Sequence, residues 1–373
     1  MKFSVASSEL QKALAKISGV VPSKSTLPIL ENILFELSKN TLRLAATDLE
    51  VSMSATLDVK GSTDGKIAVP AKRLMETIRA LPDIQLSFSA DLSNNKIKMI
   101  TETGEYALVG EASDEFPAVP QLKGEEKITF EGEMLRKMIQ RTIFSVSVDE
   151  LRPAMTGVLL QLSSKDLRAV ATDGHRLVRI TYNGLAQAKS KKEASVIIPA
   201  KALNLVNKAI EGGDATVQLD PSHVQFSIGN TTLTSRLIDE NYPNYESVIP
   251  LDNEKALTIS RDLLLASVRR VALYSNMTTR QIRFSMKKNE LRVAAEDIDF
   301  GGEAKEKVAC EYKDDEMEIG FNSSYVVDLL SHIDADEIVF KFSSAVRAAI
   351  VSPAKQRDQE DMLMLVMPMR LNA

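Results

Sequence analysis

Three stretches decide how the chain is read: residues 2–18 (KFSVASSELQKALAKIS), 127–144 (KITFEGEMLRKMIQRTIF) and 256–273 (ALTISRDLLLASVRRVAL). In each, a short alternation of apolar and polar residues passes into an apolar pattern of period three to four, the signature of a strand leading into an amphipathic helix. Phe3, Ile128 and Leu257 occupy the same point of the pattern, 125 and 129 residues apart.

A second block follows each stretch. LPILENILFELSKNTLRLAATD, MTGVLLQLSSKDLRAVATD and TRQIRFSMKKNELRVAAED read as hairpins with polar turns at 38–40, 163–166 and 287–289, closed by Asp48, Asp173 and Asp297. A further helix is expected after VPAK (69–72), IPAK (198–201) and GFNS (320–323). Proline suits the first two helix starts because its missing N–H is not needed in the first turn. Alternating segments complete each unit. The repeat predicts an α+β chain of three domains, 1–121, 127–250 and 256–373, each with two helices packed on short-stranded antiparallel sheets. Charged, turn-rich connectors at 121–127 and 251–255 join them.

Composition agrees. Of 373 residues, 44% are apolar and 26% charged, which excludes global disorder and suits several packed domains. The single cysteine, Cys310, excludes an internal disulfide and the cysteine clusters of structural zinc or iron–sulfur sites. The N-terminal segment has charges every few residues and no apolar run of signal-peptide or membrane-spanning length. The protein is therefore expected to be cytoplasmic, neither exported nor bound to a membrane.

A net charge of −5 argues weakly against a nucleic-acid partner, but its distribution points the other way. The helices expected at 8–18, 71–80, 133–144, 200–210, 261–273 and 322–333 hold 13 basic and five acidic residues, a net +8 that leaves −13 on strands and loops. The basic side chains lie opposite the apolar stripes: Lys12 and Lys16, then Lys72, Arg73 and Arg79, Arg136, Lys137 and Arg141, Lys201 and Lys208, and Arg261, Arg269 and Arg270. If the helices share one side of the sheets, that side attracts phosphate backbone without reading sequence. No tryptophan is present, and only Phe144 stands among these cations, so duplex is favoured over unpaired bases.

Catalytic signatures are missing. The histidines, His175, His223 and His332, have no metal-ligand spacing, and no phosphate-binding or nucleophile-elbow motif occurs. No metal and no cofactor is expected. ATDGHRL (171–177) alone could hide an enzyme, a hydrolase using Asp173 and His175 as acid and base. The competing reading is a hairpin end in which Gly174 supplies a positive-φ turn. A plain DNA-binding module without a ring is the other alternative. Met362, Met364, Met367 and Met369 alternate along a C-terminal apolar strand, where two should fill core and the others suit a surface that accepts varied partners.

LPIL (27–30), ATDGHRL (171–177), EIGFNSSYV (318–326) and MPMRL (367–371) together resemble the bacterial DNA polymerase III beta subunit, the sliding-clamp family, over the whole chain. The resemblance implies a non-catalytic processivity factor: a head-to-tail homodimeric ring of three-domain subunits, helices lining the hole and sheets outside. Such a ring encircles double-stranded DNA and tethers the replicative polymerase, the clamp loader and other replication or repair proteins through a short peptide motif. It implies a partner-peptide pocket of Met155, Thr172, Gly174, His175, Arg176, Leu177, Pro243, Val248, Asn322, Tyr325, Leu365, Met367, Pro368, Met369 and Arg370. Stretch 343–350 aligns ambiguously and contributes no pocket residue. Lys24, Lys72, Arg73, Arg79, Arg136, Arg141, Lys201 and Arg270 are expected to meet phosphates; Arg152, followed by Pro153 and Ala154 where some members have tyrosines, is not assigned. The subunit interface is expected to pair an edge at 96–110, carrying Lys96, Glu105, Tyr106 and Leu108, with Leu273, Tyr274 and the strand around Lys305. Glu105 stands where some members have arginine, and Lys305 and Lys307 where the segment is usually more acidic, so Glu105 is expected to face one of the two lysines.

Overall fold

The computed structural model describes residues 1–120, 122, 127–163, 165–183 and 193–371. The connector expected at 121–127 falls largely outside them, as does position 164 of the second hairpin turn. The chain divides into two compact units, Met1–Arg136 with Lys201–Leu237 and Lys137–Ala200 with Ile238–Ala373. Among the described residues there are six α-helices: α1 (Ser7–Ile17), α2 (Ala71–Ala80), α3 (Gly132–Gln140), α4 (Ala200–Ala209), α5 (Arg261–Ala272) and α6 (Ser323–Ser331). All paired strands run antiparallel.

The first unit holds two sheets. One has the order Lys60–Thr63, Lys2–Ala6, Gln85–Asp91, Lys96–Ile100, Glu105–Val109. The other, of eight strands, joins repeats by pairing Thr231–Arg236 with Val51–Asp58, Leu233 opposite Met53. Phe3, Phe35 and Phe88 stack in its core with ring centroids 4.8 and 5.3 Å apart, burying the large apolar area that aromatic rings bring. Helix α1 lays Leu10, Ala13, Leu14 and Ile17 inward.

The second unit repeats the plan. Its nine-stranded sheet joins Arg176–Asn183 to Glu360–Val366, with Leu177 opposite Leu365. Its four-stranded sheet runs Gly302–Ala309, Glu290–Asp297, Gln281–Lys287, Met317–Asn322. Phe284, Phe321 and Phe340 meet edge to face in the core. Met362 and Met364 are buried there, as their strand parity predicts.

Local chemistry explains the boundaries. Pro70 and Pro199 immediately precede α2 and α4, and the Asn322 side chain accepts a hydrogen bond from the Ser324 N–H at 2.9 Å to cap α6. The three hairpin-closing aspartates make one kind of turn. Asp48 accepts from the N–H of Glu50 and Val51 at 3.0 and 2.7 Å, Asp173 from His175 and Arg176 at 2.9 and 3.0 Å, and Asp297 from Asp299 at 3.2 Å.

Two expectations need correction. Helix α3 stops at Gln140 rather than 144, because Thr142 Oγ1 donates back to Met138 O at 2.8 Å and the chain tightens into a 3-10 turn at Ile143–Ser145. Arg141 and Phe144 therefore lie beyond it. The edge expected at 96–110 is narrower, since Lys96–Ile100 is an internal strand and only Glu105–Val109 lies at the rim. Leu108, 9% exposed, points into the core, and Val109 is the outward apolar residue of that strand. Gly302–Ala309 is likewise the open edge of its sheet. Among the described residues no helix is long and apolar enough to cross a membrane, and no group of three or more His, Cys, Asp or Glu is placed to hold a metal ion.

Candidate functional site: an apolar groove and cationic helix faces

The inter-repeat strand pair of the second unit forms the floor of a groove of about 680 Å³, a size suited to a few side chains of a ligand. Leu177 and Leu365, 1% and 3% exposed, are its base. Met155, on the 3-10 turn Pro153–Thr156, lines it with Thr172, Gly174 and Arg176. Pro243 to Tyr245 and Ser247 to Asp252 supply another part of the lining, in which Tyr245 is buried while Val248 and Leu251 stay exposed. Val346, Arg347, Ala348 and Met367 also line it. Apolar walls with few polar groups select apolar side chains and leave hydrogen bonding to the rim. At that rim Arg347 forms an ion pair with Asp252.

Behind the groove Arg176 fixes the turn. Its Nε donates to Asp173 at 3.0 Å, Nη1 to Asp328 of α6 at 2.5 Å and Nη2 to the Phe144 carbonyl at 2.7 Å. The guanidinium also lies 4.9 Å from the Tyr325 ring centroid and 5.4 Å from that of Phe144. Gly174 takes φ +89, the left-handed turn that glycine makes without strain. The acid–base pair of the hydrolase reading is not assembled. Asp173 accepts from two backbone N–H groups and Arg176, while the His175 ring stacks on Tyr325 at 5.7 Å. Tyr242, whose hydroxyl donates to Val170 O at 3.4 Å, has its pKa raised by burial and stays neutral.

The structure brings Met155, Thr172, Gly174, Arg176, Leu177, Pro243, Val248, Leu365 and Met367 onto the groove. His175, Asn322, Tyr325, Pro368, Met369 and Arg370 do not line it; several of them form an adjoining ledge. There His175 O accepts from Met367 N–H at 2.8 Å, Met369 bridges Gly320, and Arg370 O accepts from Gln281 Nε2 at 2.9 Å. Asn244, Tyr245, Ser247, Ile249 to Asp252 and Val346 to Ala348 were not anticipated. Residues 242–250 (YPNYESVIP) close the second repeat, whose expected boundary is 250, whereas 343–350 aligns ambiguously.

The expected DNA-facing cations divide. Lys24 and, on α2, Lys72, Arg73 and Arg79 are exposed. Lys201 is exposed but bonded to Asp48, and Arg270 makes a two-pronged pair with Glu306 at 2.7 Å on each arm, which raises the arginine's pKa and lowers the glutamate's. Arg136 is half-buried, donating to Ile210 O and lying 3.7 Å from Glu133. Arg141 departs from expectation: it is buried and bonded to Glu360 at 2.8 Å, so it ties two segments together instead of presenting charge.

Lys96, on the strand inside the rim, is exposed, and Tyr106, on the rim strand Glu105–Val109, is half-buried. Glu105 pairs with its own neighbour Lys98 at 2.7 Å, and Lys305 with Glu303. Leu273 and Tyr274 are exposed, and so are Met277, Ile298 and Phe300 beyond them.

Comparison with known proteins gives a consistent result along the chain. The profiles of the DNA polymerase III beta subunit match in order: its N-terminal domain at residues 1–120, central domain at 129–244 and C-terminal domain at 246–370. The beta sliding clamp of Pseudomonas aeruginosa is 32% identical over 376 residues, with all of both chains covered. The crystal structure of a DnaN sliding clamp from Pseudomonas aeruginosa bound to griselimycin superposes with a TM-score of 0.93 at 31% identity, covering all of both chains. A C. crescentus beta sliding clamp, with PEG bound to its putative beta-motif tethering region, gives 0.93 at 28% identity, again with full coverage of both.

Proposed function

Because the chain belongs to the DNA polymerase III beta-subunit family, a family of non-catalytic sliding clamps that act in DNA replication, we propose that it closes head to tail with a second copy into a ring around duplex DNA. The fold is three clamp domains; we place them at 1–121, 127–250 and 256–373. The observation that carries the reading is the coexistence, on one chain, of exposed cationic helix faces and a separate apolar groove. One holds phosphate without reading sequence, and the other leaves partner proteins free to dock. The site of work is the cytoplasm.

Lys24, Lys72, Arg73 and Arg79 are the principal phosphate contacts, with Lys201 and Arg270 reached only by giving up an internal carboxylate. Arg141 has no part in this set. Replicative polymerase, loader and repair proteins dock a short apolar peptide into the groove above Leu177 and Leu365, with His175 and Arg370 near its polar end. Griselimycin, bound to the Pseudomonas aeruginosa relative, is proposed to occupy the same groove here. Ring closure joins the open edges Glu105–Val109 and Gly302–Ala309, with Leu273 and Tyr274 beside them. The test is topological. Loaded protein should stay on nicked circular DNA and leave when the circle is cut; retention on the cut DNA overturns the ring.

A further inference from the structure

The segment after the last strand, 367–371, is pinned at three points: Met367 N–H to His175 O at 2.8 Å, Met369 N–H to Gly320 O at 2.8 Å, and Arg370 O to Gln281 Nε2 at 2.9 Å. Only the second and third anchor it to the four-stranded sheet. Gly320 lies in the strand Met317–Asn322, paired in ordinary antiparallel register with Arg283. It is not among the glycines of positive φ, so its own backbone does not demand glycine. What does is proximity. A Cβ at 320 would stand 2.8 Å from the Met369 carbonyl oxygen, 2.8 Å from Leu371 Cδ2 and 3.1 Å from Gln281 Nε2, closer than packed atoms tolerate.

We infer that Gly320 and Gln281 are positioning residues for the groove: they latch the C-terminal segment where Met367 completes the groove's lining. This rests on the groove being the partner site. With the latch gone, the His175 bond alone holds the segment, and a ligand that needs Met367 in place must order several residues again. Neither residue lines the groove itself.

The test uses the full chain with griselimycin as the probe. Pro368 has no amide N–H, and the N–H groups of Met367 and Met369, bonded to His175 O and Gly320 O, report the segment by hydrogen exchange. In Gly320→Ala, exchange at Met369 should quicken about tenfold or more and griselimycin affinity fall roughly tenfold, while the thermal midpoint and retention on circular DNA hold. Adding Leu371→Ala, which removes one of the two closest contacts, should restore part of the affinity. Native protection at Met369 in Gly320→Ala overturns the latch. Lost protection with affinity within about twofold of native overturns its positioning role. If Gly320→Ala does not fold, Gln281→Ala, which deletes one hydrogen bond, is read by the same two quantities. Failure of the native chain to bind griselimycin counts against the groove reading instead, and Met369 exchange still decides the latch.

Discussion

Replacing Arg141 by leucine separates two roles for one cation. Arg141 Nη1 donates to Glu360 at 2.8 Å and Nη2 lies 3.6 Å from Asp334, with side-chain exposures of 8% for Arg141 and 16% for Glu360. Both members of the main pair are largely dehydrated. Tyr182, its hydroxyl pushed up to about 12 by burial and then by the Glu360 charge, stays neutral beside them and cannot replace the cation. Removing one partner from such a pair costs about 3–5 kcal/mol. Asp334 is mostly solvated and loses little, so the lower end, about 3 kcal/mol, is expected, roughly a hundredfold in the folded-to-unfolded ratio. Glu360→Leu should cost a similar amount, whereas the double replacement leaves no unpaired charge and should recover all but about 1 kcal/mol. That amounts to a coupling of about 5 kcal/mol. Urea unfolding of the four proteins, compared at equal slope, measures it. The salt dependence of duplex binding should not change. A stability loss below about 0.5 kcal/mol in Arg141→Leu, together with a salt slope smaller by about one, would place this guanidinium on DNA and refute the reasoning.

The exposed cations should behave oppositely. Arg73→Ala with Arg79→Ala should lower the salt slope for duplex by about one per residue and weaken binding equally on unrelated sequences, with thermal stability unchanged; a loss confined to one sequence contradicts the phosphate reading. Deleting the chain from Met367 onward should abolish polymerase stimulation while the ring still closes, and surviving stimulation means the groove is misplaced. Leu273→Ala with Tyr274→Ala should shift sedimentation toward monomer at low concentration. Glu105→Lys alone should not, because its exposed pairs contribute only about 0–1 kcal/mol; the reverse ranking rejects an apolar closure. The Cys310 thiol, pushed up to about 11 by burial and then by Glu290, should react with a disulfide reagent at pH 8 about tenfold more slowly than a free cysteine thiol, its roughly hundredfold smaller thiolate fraction being partly offset by greater nucleophilicity, and equal rates contradict this.

What was legible in the sequence was what local chemistry determines. The turns after Asp48, Asp173 and Asp297 need only a carboxylate and the next few N–H groups. The starts of α2 and α4 need only a proline and an apolar period. Nothing local distinguishes Arg141 from Arg79. Both follow an apolar helical stripe, and the difference is Glu360, which lies 219 residues further along the chain. The same holds for the groove. Leu177 and Leu365 share a base only because two strands of different repeats pair, and Val346 to Ala348 join it from a stretch that aligns ambiguously.

Leu108 shows how far alternation reaches. Tyr106 and Leu108 have the same strand parity, so the pattern puts both on one face, but the pattern does not say which face the sheet buries. The neighbours decide. Ile97 and Met99, opposite Leu108 and Tyr106 on the adjacent strand, are buried, so Leu108 belongs to the core and Tyr106 reaches solvent only in part. Glu105, Ala107 and Val109 occupy the other face, and their side chains are exposed. A second copy adding a strand here would therefore pair with the open backbone of this edge and extend both faces at once. Its apolar contribution must then come from Tyr106 and Val109 on the strand itself and from Leu273 and Tyr274 beside the opposite edge, while Leu108 continues to hold its own sheet together.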